Sequence, residues 1–134
     1  MILILDTNVF IWSLTDTQKL GRHTFADIST NKNQAYISDV SLLECAIKIR
    51  TGKLKLSLDF SEIDKYLSEA NIQQLPFDAW AAEQYVKLPK LSWSDPFDSA
   101  IIAQAISKRM TLITSDDNII NSGLNDLRVM DAQT

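Results

Sequence analysis

Residues Ile2 to Leu5 form an uninterrupted apolar run, in part β-branched, that stops abruptly at Asp6. A strand with one wet face alternates apolar and polar residues. A run without alternation is a strand buried on both faces, which occurs in a parallel sheet covered by helices on either side. That feature commits the chain to an α/β fold, and the rest of the sequence agrees. Ala35–Ile37, Ile72–Leu75 (stopped by Pro76), Thr111–Ile113 and Arg128–Met130 read as further short strands. Helical patterns fall between them. The first follows Asp6-Thr7-Asn8 and carries Val9, Phe10, Trp12 and Leu14, and a weaker one covers residues 22–31. Ser38 or Asp39 caps a third, from about Val40 to Arg50. A fourth begins at Ser61, with Ile63, Tyr66, Leu67 and Ala70 on one face, and a fifth covers residues 78–87. Asp95-Pro96 opens a strongly apolar helix through Ile106, with Asp95 at the N-cap and Pro96 at the first helical position. Thr114-Ser115-Asp116-Asp117 opens a short last helix. Lys53–Leu58 and Leu88–Ser94 read as connections. The expectation is one domain over residues 1–134, with a mostly parallel sheet of four to five strands.

Composition narrows the chemistry. A chain of 134 residues with 46% hydrophobic content buries a sizeable core unaided. Cys45 is the only cysteine and His23 the only histidine, which excludes a disulfide framework, a Cys/His zinc cluster and a Ser/His/Asp triad with any local signature. No Gly-rich phosphate loop is present. A lone cysteine fits a reducing compartment. No run approaches the roughly 18 apolar residues of a membrane span, and the first residues lack the basic flank of a signal peptide. A cytoplasmic protein with no membrane contact is expected. The net charge of −4 argues, at first sight, against a protein that wraps nucleic acid electrostatically.

The acidic residues fall at telling places. In open α/β sheets, ligands bind beyond the carboxyl ends of the strands. Asp6 and Asp116 each lie just past a predicted strand, and Asp98 falls in the first turn of the apolar helix. Ser41, Glu44 and Lys48 share one side of the 40–50 helix, with Leu43, Ala46 and Ile47 expected toward the core, which puts Glu44 on the border between the packed face and the crevice. Four converging carboxylates repel one another unless a hard divalent cation, Mg²⁺ or Mn²⁺, joins them. Such an ion acidifies water and neutralises a phosphoryl group, which suits phosphodiester hydrolysis. Structural readings compete at each position. Asp6 can end its strand in an Asp turn, Asp95 and Asp98 can serve the helix end, Asp116 or Asp117 can cap the next helix, and Glu44–Lys48 can be a surface pair.

These residues also carry a resemblance. Leu3-Ile4-Leu5-Asp6-Thr7-Asn8-Val9 resembles the opening motif of PIN-domain nucleases. Ile37–Glu44, Asp95-Pro96-Phe97-Asp98 with Ile101–Ala105, and Leu112–Asp116 resemble the second, third and fourth motifs, in order, over roughly residues 2–131. The Ile49–Leu56 stretch, with Thr51-Gly52-Lys53-Leu54, is similar to VapC-type toxins of bacterial toxin–antitoxin pairs. The resemblance implies a three-layer α/β/α fold and Mg²⁺- or Mn²⁺-dependent ribonuclease activity, as the toxin component of a type II toxin–antitoxin system. It implies Asp6, Glu44, Asp98 and Asp116 as the catalytic, metal-binding set, with Thr7 or Asn8 and Thr114 orienting carboxylates or water. It implies an RNA substrate, a protein antitoxin and a homodimer. Two departures stand out. Ser99 occupies a position where many relatives carry Arg, and Leu91-Ser92-Trp93-Ser94 lacks a His many have before the third motif.

Other features have two readings each. Lys48, Arg50, Lys53 and Lys55, with no acid between residues 45 and 58, form an RNA-backbone strip or a solvated helix end. Trp93, between serines, is the best candidate for an exposed tryptophan. Trp12 and Cys45 are expected in the core and His23 at the surface. Two other functions remain. One is a metal-dependent phosphatase using Asp6 as nucleophile, weakened because Asn8 stands where a second aspartate is usual. The other is a catalytically weak PIN module acting as a binding partner.

Overall fold

The computed structural model describes residues 1–30 and 32–134. β1 (Ile2–Leu5) lies at the middle of a five-stranded sheet in the order β3-β2-β1-β4-β5, with β2 at Gln34–Ser38, β3 at Ile72–Leu75, β4 at Thr111–Thr114 and β5 at Arg128–Asp131. Every strand pair is parallel, so the sheet is wholly parallel. The apolar run has its reason here: Leu3, Ile4 and Leu5 are fully buried, flanked by strands and covered from both faces.

Successive side chains of a strand point to opposite faces, and each face has its own core. Leu3, Leu5, Ile37 and Ile113 pack with Val9 and Phe10 of α1 (Thr7–Thr15), Ile28 of α2 (Arg22–Ser29), and Ile63 and Leu67 of α4 (Ile63–Glu69). Ile4 and Leu112 pack with Ile101, Ile102 and Ala105 of α6 (Pro96–Lys108) and Ile119 of α7 (Asp117–Ile120). The result is three layers, α/β/α. α5 (Ala79–Lys87) lies on α6, while α3 (Asp39–Arg50) touches α1 of one layer and α6 of the other. α6 is buried continuously from Ala100 to Ala105, which explains its apolar sequence. Fully buried Gln104 donates from Nε2 to the Pro76 carbonyl at 3.2 Å, fastening the turn after β3.

Several expectations are corrected. α2 ends at Ser29, Thr30 is its C-cap, and residue 31 of the expected helix lies outside the described residues. Before α4, a single 3₁₀ turn at Phe60–Glu62 is capped by Asp59, so the α-helix proper starts at Ile63. Leu43, Ala46 and Ile47 of α3 do not form its core face, and Glu44, expected at the border of that face, is buried. Ser41, Glu44 and Cys45 are its buried residues, whereas Leu43 (54%) and Ile47 (42%) are exposed and Ala46 is half-buried. The helix turns its polar residues inward because they line the acidic end of the sheet. Trp93 is not exposed either: it is half-buried against the α6-side core, and Trp80 on α5 is the tryptophan facing solvent, at 70%. Trp12 is half-buried against the α1-side core, with Lys19 Nζ 5.7 Å from the centre of its ring system.

The chain's last residues lie against the start of α2. Gly21 N–H donates to Ala132 O at 2.9 Å and His23 N–H to Thr134 O at 3.0 Å. A Cβ on Gly21 would stand 2.1 Å from the Thr134 carbonyl carbon, so only glycine fits. Among the described residues, no helix is long and apolar enough to cross a membrane.

Candidate functional site

From β1 the sheet grows one way through β2 and β3, and the other way through β4 and β5. The boundary between β1 and β4 is the switch point, where a crevice opens beyond the strand ends. Asp6 follows β1, and its N–H donates to Ile113 O of β4 at 2.9 Å, which locks the two strand ends together. The Asp6 carboxylate is buried, and each of its oxygens accepts one hydrogen bond. Oδ1 accepts the Thr7 N–H at 2.8 Å, capping α1, and Oδ2 accepts the Thr114 hydroxyl at 2.6 Å. The same Thr114 oxygen accepts the Asp116 N–H at 3.0 Å. One buried hydroxyl thus joins the carboxylate after β1 to the backbone of the acid after β4.

The other acids are placed by the same device. Asp116 caps α7 through the Asn118 N–H at 2.9 Å. Asp95 caps α6 through the Asp98 N–H at 2.8 Å, which puts Asp98 in the first turn of that helix. Structural and chemical readings are therefore compatible, because the capping bonds of Asp95 and Asp116 each engage one carboxylate oxygen. Helix N-termini also carry partial positive charge, which moderates the acidity gathered around them. Glu44 arrives on α3, one turn after Ser41. The Thr7 hydroxyl donates to Ser41 Oγ at 2.9 Å, which ties α1 to α3 beside it.

Burial and mutual repulsion set the charge states. Desolvation pushes the Asp6 carboxyl above the ordinary range, with the charges of Glu44 and Asp116 adding to it, against the hydrogen bonds from Thr114 and Thr7. The Asp98 carboxyl is raised to about 7, by burial first and then by the charges of Asp95, Asp6 and Asp116. Glu44 is buried, and its Oε2 meets Lys48 Nζ at 2.9 Å. That hydrogen bond is the main reason Lys48 is held above its ordinary value, with the charge of Asp95 contributing. Asp6 thus feels the charges of Glu44 and Asp116, and Asp98 those of Asp6 and Asp116, so Asp6 links all four acids electrostatically at this end of the sheet. Their donors are all hard carboxylate oxygens, the class that suits Mg²⁺ and Mn²⁺. They are not drawn into a closed coordination sphere: among the described residues, no three His, Cys, Asp or Glu side chains are grouped to hold an ion.

Asn8 is exposed at the second position of α1. Arg50 and Lys53 are exposed at and just beyond the end of α3, whereas Lys48 is engaged with Glu44. His23 is exposed and Cys45 fully buried. Sequence reasoning missed the role of Ser41, whose only signal is its position one turn before Glu44. It also missed what Ser99 does. Ser99 Oγ lies 2.5 Å from Ser94 Oγ, and Ser94 Oγ donates to Asp95 O at 3.1 Å. The two serines brace the start of α6, beside Trp93.

A parallel α/β/α domain with an acidic crevice at its switch point is the class of protein these observations define. Residues 3–122 match the PIN domain family, and the chain belongs to it. Solved structures share its fold, three of them as follows. VapBC2 from Rickettsia felis, bound to a DNA fragment from its promoter, is 22% identical with a TM-score of 0.70, the match covering 97% of this chain and 98% of that one. VapBC-1 from nontypeable Haemophilus influenzae is 21% identical with a TM-score of 0.67, covering 100% of both chains. FitAcB from Neisseria gonorrhoeae is 20% identical with a TM-score of 0.62, covering 98% of both. No curated protein matches the chain.

Proposed function

We propose that this PIN domain is a metal-dependent ribonuclease, the VapC-type toxin of a type II toxin–antitoxin pair. The observation that carries the proposal is the Thr114 hydroxyl joining Asp6 to Asp116 at the β1/β4 switch point, with the Asp98 carboxyl raised to about 7 by burial and its acidic neighbours. Carboxylates that burial and mutual repulsion hold above their ordinary range gain from a bound cation. Asp6, Glu44, Asp98 and Asp116 would hold Mg²⁺ or Mn²⁺, which when bound supplies an acidified water and neutralises charge on a phosphodiester. Thr114 and the Thr7 N–H hold Asp6 in one rotamer. Asn8 stands exposed beside them, available to orient water or a phosphate oxygen. Arg50 and Lys53 offer cations to the RNA backbone.

Partner proteins belong to the same proposal. The structures of similar fold are described as VapBC, FitAcB or toxin–antitoxin complexes, which supports a protein antitoxin for this chain. A homodimer would cover exposed apolar residues such as Leu43 and Ile47 on α3 or Trp80 and Val86 on α5. A cytoplasmic location goes with an RNA substrate.

The test is cleavage of a structured RNA by the wild type and by Asp6→Ala, in Mg²⁺, in Mn²⁺ and in EDTA. The expected result is cleavage by the wild type with metal, and none in EDTA or by the variant. Cleavage that persists in EDTA or in Asp6→Ala overturns the metal mechanism. Phosphate release from small monoesters without RNA cleavage would point to a phosphatase. Tight binding to a partner without either activity would point to a binding module.

A further inference from the structure

Lys48 is the cation bonded into the acidic crevice. Its Nζ lies 2.9 Å from Glu44 Oε2, and the Glu44 side chain is 9% exposed against 38% for that of Lys48. The pair therefore has a buried anionic half and an accessible cationic half. An exposed i,i+4 pair holds its partners loosely, because water solvates either one well. Glu44 has no such freedom. It is buried beside Cys45 and close enough to Asp6 for each charge to be felt by the other. Without Lys48, a buried carboxylate would stand in the field of other acids with no compensating charge. The bond also occupies Glu44 Oε2, so an ion approaching Glu44 meets a carboxylate whose charge is already compensated on one oxygen.

From this geometry we infer that Lys48 is a built-in counter-cation that occupies Glu44 in the metal-free protein and competes with the divalent ion for it. The inference rests on the metal-site reading proposed above. An ion that takes both oxygens of Glu44 displaces the Lys48 ammonium, whose side chain is 38% exposed and has room to swing away. The acidic crevice thus stays tolerable without metal, and metal affinity is lower than the same carboxylates would give alone. Lys48 is a positioning residue in this account, acting through Glu44.

The test needs no turnover. Mn²⁺ affinity is measured by calorimetric titration of the wild type, Lys48→Met, Lys48→Arg and Lys65→Met, together with thermal unfolding in EDTA and in saturating Mn²⁺. Lys48→Met keeps the aliphatic stem and removes the charge. Lys65 is exposed on α4 and gives the same change in net charge elsewhere. Lys48→Met is expected to bind Mn²⁺ on the order of tenfold more tightly, about 1.4 kcal/mol. It should melt lower than the wild type in EDTA and gain more from Mn²⁺. Lys48→Arg and Lys65→Met should stay within about threefold of the wild type, under 0.7 kcal/mol. If Lys48→Met binds Mn²⁺ no more tightly than the wild type, or Lys65→Met matches its gain, the inference is overturned while the metal site stands. If the wild type binds no Mn²⁺, both are overturned.

Discussion

Thr114 does more than any other uncharged residue in the crevice. Its hydroxyl hydrogen goes to Asp6 Oδ2 and its lone pair takes the Asp116 N–H, both away from water. Thr114→Val keeps the shape and removes both bonds, leaving a buried carboxylate oxygen and a backbone N–H without them. Urea unfolding should show a loss of about 1–3 kcal/mol, and Mn²⁺ affinity should fall with it, whereas Thr114→Ser should retain most of both. Asp95 allows a sharper electrostatic prediction. Asp95→Asn keeps a good N-cap but removes a charge that raises Asp98. NMR titration of the side-chain carboxyl should find the Asp98 pKa lower in this variant than in the wild type. Asp6, Asp98 and Asp116 were readable in sequence because each follows a recognisable strand end or helix cap. Ser41 was not, because its bond to Thr7 depends on how α1 and α3 are rotated against each other.

α3 shows where element-level reading failed and why. Its apolar residues suggested a core face through Leu43 and Ile47, yet the helix buries Ser41, Glu44 and Cys45. Hydrophobic periodicity assumes that the protein side of a helix is apolar. Here the protein side is the crevice, where a carboxylate and hydroxyls are wanted, so the apolar residues are left outside. The other elements lacked this conflict. β1 reads as buried on both faces and is, and α6 reads as apolar nearly all round and is buried from Ala100 to Ala105. The exposed residues of α3 and α5 give a prediction about assembly. Val86→Lys, at a position 84% exposed, should change monomer stability by no more than about 0.5 kcal/mol. If α5 lies in the interface of the proposed homodimer, sedimentation should nonetheless shift from dimer toward monomer. A dimer of unchanged stability would remove α5 from the interface.

For the whole molecule, the net charge of −4 equals the charge of the four proposed ligands, so the low charge balance describes a local site rather than an acidic surface. Stability should follow pH accordingly. Asp98 and Asp6 have folded pKa values above those of the unfolded chain, near 3.9, so the folded state binds more protons between the two values. By linkage, the stability from Asp98 is present at low pH and is lost as pH rises from about 4 through 7, and Asp6 acts in the same direction. Melting in EDTA should therefore be lower at pH 8 than at pH 5.5, and Mn²⁺ should narrow the difference by taking the place of the protons. The central claim, that these four carboxylates form one divalent-ion site, is tested most directly by electron paramagnetic resonance titration of Mn²⁺ into the wild type and the single Asn or Gln variants of Asp6, Glu44, Asp98 and Asp116. Saturable binding by the wild type, weakened at least tenfold in each folded variant, is the expected result. Equal binding by the wild type and all four variants, or none by the wild type, would contradict it.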